Sequence, residues 1–167
     1  MPIPGIKLAD FGLATRLQAP DFRVHTVCGT PNYLAPEVVA QSQEGFSFAS
    51  DIWALGVVTY FLVFGRPPFQ AKTISLTYQK ILENKIQFPP SWPASDLCKQ
   101  FISEILQSDP AARPSLSSLL QHPFLTEGPL PEVLPTEFCK SAPSQAYLSN
   151  FQLKLSVSRS AQSLLPS

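Results

Sequence analysis

The run from Ile52 to Phe64 limits how this chain can fold more than any other feature, because only Thr59 interrupts its apolar character. It is shorter than the roughly 20 residues that a membrane-spanning helix needs. We therefore predict a buried helix that is apolar on nearly every side and surrounded by other helices. Ser50 and Asp51 precede the run as candidate capping residues, and Gly65 follows it as a stop signal.

Further helices are predicted on both sides of this run. Apolar periodicity favours helices near residues 73–84, 94–107 and 115–121, and a short helix begins at Pro36. Proline accounts for 18 of the 167 residues, about twice its ordinary share, and separates these helices with loops. Before Pro36, two strand-like pieces flank a turn at Gly12, and a long loop covers residues 18–36. Residues 1–125 are thus predicted to be mainly α, with a short β element at the N-terminus.

Residues 126–167 differ in composition from the rest of the chain. They carry three acidic residues, scattered prolines and, from Ser141 onward, eight serines in 27 positions. Such a segment buries little apolar surface and is predicted to be a largely disordered tail. Within it, Phe151 to Val157 alternates apolar and polar residues. This segment is either a strand that pairs with another chain or a fortuitous pattern.

Charge and cysteine usage exclude several classes of function. Twelve basic and twelve acidic residues give a net charge of zero, which argues against a nucleic-acid or anionic-membrane partner. Cys28, Cys98 and Cys139 are too few and too widely spaced for a disulfide framework or a zinc site. His25 and His122 lack ligand partners at metal spacing. The N-terminus shows no secretory signal, and an intracellular, reducing compartment is expected.

Five short motifs follow one another along the chain. A single tripeptide is weak evidence, whereas an ordered set at these separations is not a coincidence. The motifs are Asp10-Phe11-Gly12, Cys28-Gly29-Thr30-Pro31-Asn32-Tyr33, Ala35-Pro36-Glu37, Asp51-Ile52-Trp53-Ala54-Leu55-Gly56 and Asp109-Pro110-Ala111-Ala112-Arg113-Pro114.

With these motifs the chain resembles the C-terminal helical lobe of a eukaryotic serine/threonine protein kinase, from the Asp-Phe-Gly motif onward. Within that family it is most similar to the polo-like kinases over about residues 6–145. Gly65-Arg66-Pro67-Pro68-Phe69 and Thr77-Tyr78-Gln79-Lys80-Ile81 add to this likeness. The resemblance implies a domain that uses ATP and Mg²⁺ and transfers the γ-phosphate to protein hydroxyls.

The resemblance also implies roles for residues of the early loop. Asp10 would hold Mg²⁺ in the cofactor site, with Phe11 packed beneath the nucleotide and Gly12 giving the backbone its freedom. The alternative for Asp10 is an ordinary turn aspartate. Thr26 would receive an activating phosphate from an upstream kinase, and the alternative is a plain solvated threonine. Cys28 is interpreted as a small hydrophobe rather than a redox-sensitive thiol.

Other matched residues concern the substrate and the framework. Thr30 would help to place the substrate hydroxyl, and the stretch from Pro31 to Tyr33 would shape the peptide-binding floor. Glu37 and Arg113 would form a buried ion pair between distant pieces of chain. Asp51 would accept backbone hydrogen bonds from a catalytic loop or, in the alternative that stays open, cap the following helix.

Several parts of a complete kinase do not occur in this sequence. No Gly-x-Gly-x-x-Gly, Val-Ala-Ile-Lys or His-Arg-Asp is found, so no residue qualifies as the catalytic base. All of these parts would precede Asp10, a pattern expected of a truncation, an alternative start or an incomplete gene model. We therefore expect no activity and no ATP or Mg²⁺ binding by this chain alone, and we expect the strand edge and the face for the catalytic loop to be exposed.

Two functions follow from these observations. The first is part of a polo-like kinase domain, located in the cytoplasm, nucleus or centrosome by family resemblance. The second is a non-catalytic helical lobe that binds kinase partners or protein substrates. Neither requires nucleic acid or a membrane.

Overall fold

The computed structural model of the chain describes residues 7–19, 22–90 and 94–127. It divides the chain into two units, Asp10–Leu125 and a second unit of Met1–Ala9 with Thr126–Ser167. In the second unit only residues 7–9, 126 and 127 are described, and residues 7–9 have no regular structure. The predictions of a disordered tail and of an alternating segment at 151–157 lie outside the described residues.

Helices make up the regular structure of the described residues, so the prediction of a mainly helical chain is confirmed. Single 3₁₀ turns occur at Phe11–Leu13, Pro31–Tyr33 and Pro110–Ala112. The α-helices are α1 (Pro36–Val39), α2 (Ala49–Phe64), α3 (Ile74–Glu83), α4 (Asp96–Ile105), α5 (Leu116–Leu120) and α6 (Pro123–Thr126).

The core forms around α2, which packs mainly against α4. Trp53, Val57 and Tyr60 lie on its buried side and are almost completely removed from water. The two helices approach closely at Gly56, where a Cβ atom would lie 2.5 Å from Cγ2 of Ile105. The 3₁₀ turn at Pro31–Tyr33 packs against both α2 and α3, which fixes the loop before α1 on the core.

One side of α2 departs from the sequence prediction. Leu55, Val58 and Leu62 are exposed, although the apolar run predicted a helix surrounded on all sides. The apolar run does form the predicted helix. However, whether a side is covered depends on neighbouring segments, and no described residue covers this one.

The start of α2 also corrects the sequence prediction, because the helix begins at Ala49 and not at Ile52. Phe48 occupies the N-cap position, and Asp51 lies in the first turn. The prediction that Ser50 and Asp51 cap the helix is therefore wrong. The Ser50 hydroxyl instead donates a hydrogen bond to a carboxylate elsewhere in the fold, as described below.

Helices α3, α4 and α5 begin at hydroxyl caps. Thr73, Ser95 and Ser115 each accept a hydrogen bond from the backbone N–H three residues later, at the starts of α3, α4 and α5. Such caps satisfy donors that have no partner inside the helix. Asn84 ends α3 in a left-handed conformation with φ of 45°. The helices predicted near 73–84, 94–107 and 115–121 are thus present, with slightly shorter bounds.

The β element is reduced to one isolated bridge within the described residues. Val24 and Phe46 exchange two backbone hydrogen bonds, at 3.1 and 2.7 Å. The strand-like pieces near Leu8 and at residues 14–17 form no ladder, because an isolated strand lacks a partner for its backbone groups. No helix in the described part of the chain is long and apolar enough to cross a membrane.

Candidate functional site

The centre of the candidate site is an ion pair between α1 and the segment that precedes α5. Proline at the first position of α1 places Glu37 in its first turn, and Arg113 follows the 3₁₀ turn at Pro110–Ala112. Nη1 and Nη2 of Arg113 donate to Oε1 and Oε2 of Glu37 at 2.8 and 2.7 Å. The two side chains are only 1% and 9% exposed, respectively. This parallel, bidentate geometry is the strongest that a carboxylate and a guanidinium can adopt.

Other groups satisfy the remaining hydrogen-bonding capacity of this pair. Arg113 donates to the carbonyl oxygens of Ala49 and Gln107 at 2.8 and 2.9 Å. The Ser50 hydroxyl donates to Oε1 of Glu37 at 2.8 Å. A buried ion pair is tolerated only when its desolvated groups are hydrogen-bonded in this way. The pair therefore ties α1, the start of α2 and the segment before α5 into one framework.

The environment of Glu37 shifts its ionisation. Burial alone would raise the pKa of this carboxyl, because it disfavours the charged form. Burial is the largest single influence, but the hydrogen bond from Arg113, the hydrogen bond from the backbone, the positive charge of Arg113 and the hydrogen bond from Ser50 together outweigh it. The net result is a pKa below the usual 4.5, so Glu37 is ionised at neutral pH.

The residues of the Asp-Phe-Gly turn are more exposed to solvent than the sequence predicts. Asp10 is exposed and left-handed, with φ of 63°, so the unusual backbone conformation falls on Asp10 and not on Gly12. Phe11 is 68% exposed. Its packing beneath a nucleotide stays a prediction. No group of three or more metal-ligating side chains occurs in the described residues.

A cleft of about 500 Å³ lies between the early loop and the start of α2. Thr26 and Cys28 line it from the loop, Gly12 lines it from the turn, and Phe48 and Asp51 line it from α2. The structure thus brings Thr26 and Asp51 to one cleft. Cys28 is exposed, and its interpretation as a small hydrophobe stays a prediction. Asp51 is exposed and contributes to the lining of the cleft.

The residues predicted to contact a substrate lie next to α1. Thr30 is exposed and precedes the 3₁₀ turn, and its carbonyl accepts a hydrogen bond from the N–H of Tyr33 at 3.0 Å. Pro31 and Tyr33 are half-buried, and Tyr33 packs against the core. The short platform from Thr30 to Tyr33 is therefore held by the same core that positions Glu37.

Sequence reasoning missed two residues that support the ion pair. The sequence predicts Ser50 only as a helix cap, and no local signal indicates its hydrogen bond to Glu37. The motif that contains Trp53 predicts no role for it, yet its ring lies 5.2 Å from Cζ of Arg113 and stacks on Phe69. An aromatic face near a guanidinium adds favourable electrostatic contact. The ring also shields the pair from water.

Comparisons with known proteins agree with this arrangement. A family model described as the protein kinase domain matches residues 3–125. The chain is 42% identical over 147 residues to a probable serine/threonine-protein kinase CCRP1 of Zea mays. It is 41% identical over 144 residues to a probable serine/threonine-protein kinase PLK of Dictyostelium discoideum. It is 42% identical over 139 residues to the cell cycle serine/threonine-protein kinase CDC5/MSD2 of Saccharomyces cerevisiae.

These relatives are much longer than the present chain. The aligned regions cover 87, 86 and 83% of this chain, in the same order. They cover only 23, 14 and 20% of the relatives. The chain thus spans less than a quarter of the length of each of these relatives.

Proposed function

The chain belongs to the protein kinase family, with polo-like serine/threonine kinases among its relatives, and on that premise we propose that it is the substrate-side lobe of such a kinase domain. In this proposal residues 1–125 carry the activation segment and the helices, and residues 126–167 form a tail. Phosphoryl transfer to protein serine and threonine hydroxyls requires further elements that these 167 residues do not contain.

The observation that carries the proposal is the buried Glu37–Arg113 pair. It fixes the C-terminal end of the loop that begins at Asp10 onto the helical body, at 2.7 and 2.8 Å. The platform from Thr30 to Tyr33 lies just before that anchor. A framework of this kind can hold a peptide in register, which is the positioning part of phosphoryl transfer.

The nucleotide side of the reaction is not supported by the described residues. Kinases hold Mg²⁺ with the Asp of Asp-Phe-Gly and an asparagine of the catalytic loop, and they cover the phosphates with a glycine-rich loop. Here Asp10 is a single exposed carboxylate without other ligands beside it. The residues present therefore do not fit ATP·Mg²⁺ by themselves, and we assign no catalytic residue in this chain.

Regulation and location complete the proposal. Thr26 is exposed in the loop, where an upstream kinase can reach it, and it lines the same cleft as Asp51. Its phosphorylation would control the complete domain. Protein substrates or kinase partners in the cytoplasm, nucleus or centrosome are proposed from the family alone.

A second candidate function is a non-catalytic interaction module. The exposed side chains of Phe11 and Leu13 favour it, because apolar groups of this size commonly mark a protein-binding surface. This module would bind a kinase or its substrate without transferring phosphate.

A chimera tests the proposal and separates the two functions. The kinase region of the Dictyostelium relative, up to its Asp-Phe-Gly motif, is fused to this chain immediately before Asp10, and phosphorylation of casein is measured. We expect activity in the chimera, none in its Asp10→Asn form, and neither ATP·Mg²⁺ binding nor transfer by the chain alone. A folded but inactive chimera would favour the interaction module. Transfer by the chain alone that Asp10→Asn abolishes would contradict the proposal.

A further inference from the structure

The segment around α3 is basic in a chain whose charges otherwise balance. Residues 65–88 carry four basic side chains and one acidic side chain, Glu83. The basic residues, all exposed, are Arg66, Lys72, Lys80 and Lys85. Because the whole chain has no net charge, this is a local concentration of positive charge and not part of a general excess. We call these four residues the α3 basic surface.

Lys80 lies at the centre of the α3 basic surface. It lines a hollow of about 620 Å³ with Lys72, a second of about 140 Å³ with Lys85 and a third of about 160 Å³ with Arg66. Nζ of Lys80 donates a hydrogen bond to the carbonyl oxygen of Gln70 at 3.1 Å, which holds the side chain beside these hollows. Cations from the loop before α3, from the helix itself and from the segment after it therefore converge on one region.

The positive charge of this surface is poorly compensated. Arg66 and Lys72 form no hydrogen bond or ion pair with other described residues. Glu83 lies 4.0 Å from Nζ of Lys85, and its carboxylate also accepts a hydrogen bond from Gln79 at 2.9 Å. An exposed ion pair of this length contributes little. The surface is thus open to an anionic partner.

Apolar side chains lie close to these cations. Leu76 is 48% exposed and lines the hollow of about 620 Å³, and Ile74 at the start of α3 is 59% exposed. Leu76 and Lys80 are four residues apart, so they lie on the same side of the helix. A matching partner therefore carries carboxylates and an apolar side chain within a short length of chain.

We propose that the α3 basic surface binds an acidic segment of a partner protein, whose carboxylates pair with Lys72 and Lys80 and whose apolar side chain contacts Leu76. Complementary charge and an apolar anchor are the features that select a partner at such a surface. A flat membrane cannot fill concave hollows, and nucleic-acid phosphates would leave Leu76 without a contact. A protein segment satisfies both requirements.

The position of this surface connects it with the substrate platform. The 3₁₀ turn at Pro31–Tyr33 packs against α3, so a protein held along this helix lies beside the platform from Thr30 to Tyr33. The proposal nevertheless stands apart from the proposed function, because binding at α3 requires no phosphate transfer. Its test therefore measures binding alone.

Fluorescence anisotropy with the full chain tests the proposal. The probe is a labelled peptide of about ten residues with about four glutamates and a central leucine. We expect saturable binding that Lys80→Glu weakens at least about five-fold, because the substitution turns attraction into repulsion. Lys7→Glu is the matched control, since Lys7 is an exposed lysine outside residues 65–88, and it should leave the affinity unchanged. Absence of saturable binding, or equal weakening by both variants, would overturn the proposal.

A second variant keeps the test independent of the contact between Lys80 and Gln70. Lys72→Glu removes no described hydrogen bond and should also weaken binding, whereas unchanged affinity would contradict the proposed contact. Binding should also fall as salt rises, because salt screens exposed charges.

Altered probes test the class of partner. A peptide with glutamines in place of the glutamates, and one with alanine in place of the leucine, should each bind more weakly than the original. Equal affinity for the glutamine peptide would show that charge does not carry the binding. Tighter binding of duplex DNA or of phosphatidylserine vesicles than of the acidic peptide would assign the surface to another class of partner. Either result would overturn the proposal.

Discussion

Arg113 donates two parallel hydrogen bonds to the carboxylate of Glu37, although the two residues are 76 positions apart in the sequence. The pairs Lys85–Glu83 and Lys99–Asp96, in contrast, both lie at the surface. Surface pairs contribute little to stability, whereas removal of one partner from a buried pair leaves an uncompensated charge.

Removal of the arginine should unfold or strongly destabilise the chain. Arg113→Ala leaves Glu37 charged in a site with little water, and we expect a loss of about 3–5 kcal/mol in the free energy of unfolding. Urea denaturation followed by circular dichroism measures this loss. Arg16→Ala is the control, since Arg16 is exposed and its removal should cost less than about 0.5 kcal/mol. Equal losses in the two variants would contradict a stabilising role for the pair.

Stability should fall in acid through protonation of Glu37. Its pKa is lowered in the folded state, so its contribution is complete above the usual value of 4.5 and is lost as the pH falls through the lower folded value. We expect Glu37→Gln to be much less stable than the wild type at pH 7, and the gap should narrow below pH 4.5. Unfolding in urea at a series of pH values measures the gap. Glu44→Gln, at an exposed position, should show a small gap throughout, and a pH-independent gap for Glu37→Gln would refute this assignment.

Substitution of Gly56 by a larger residue should destabilise the chain, because α2 and α4 are in close contact at this position. A Cβ atom at this position would lie 2.5 Å from Ile105 and 2.9 Å from Leu106, two fully buried side chains. Alanine gains about 1 kcal/mol in helix propensity over glycine, but overpacking costs typically 1–3 kcal/mol and more for so short a distance. We therefore expect Gly56→Ala to lower the thermal midpoint. Val58→Ala serves as the control, because Val58 is an exposed residue of the same helix. A raised thermal midpoint for Gly56→Ala would show that α2 and α4 can move apart to accept the added methyl group.

Phosphorylation of Thr26 should leave the structure of this chain unchanged. The nearby cations Arg16 and Arg23 are exposed and lie in the same loop, so ordering them around a phosphate must overcome the entropy of both ends. Hydrogen exchange over residues 22–33, compared between modified and unmodified chain, measures the effect. Strong protection upon phosphorylation would reveal a receiving site within these 167 residues.

The sequence by itself determined the helices and the partners of the central ion pair. Apolar periodicity acts between residues a few positions apart, so the sequence pattern indicates the helices directly. The order of the motifs indicated that Glu37 and Arg113 belong together through the family resemblance. None of these inferences required knowledge of how distant segments pack.

Only the tertiary structure decided what surrounds those residues. Ser50 donates to Glu37 instead of capping α2, Phe11 and Cys28 are exposed, and one side of α2 faces water. Each of these outcomes depends on which segments meet across long sequence separations. Local patterns state which surfaces are apolar or polar, but burial is a property of the neighbours that pack against them, and those neighbours are set by the complete three-dimensional arrangement.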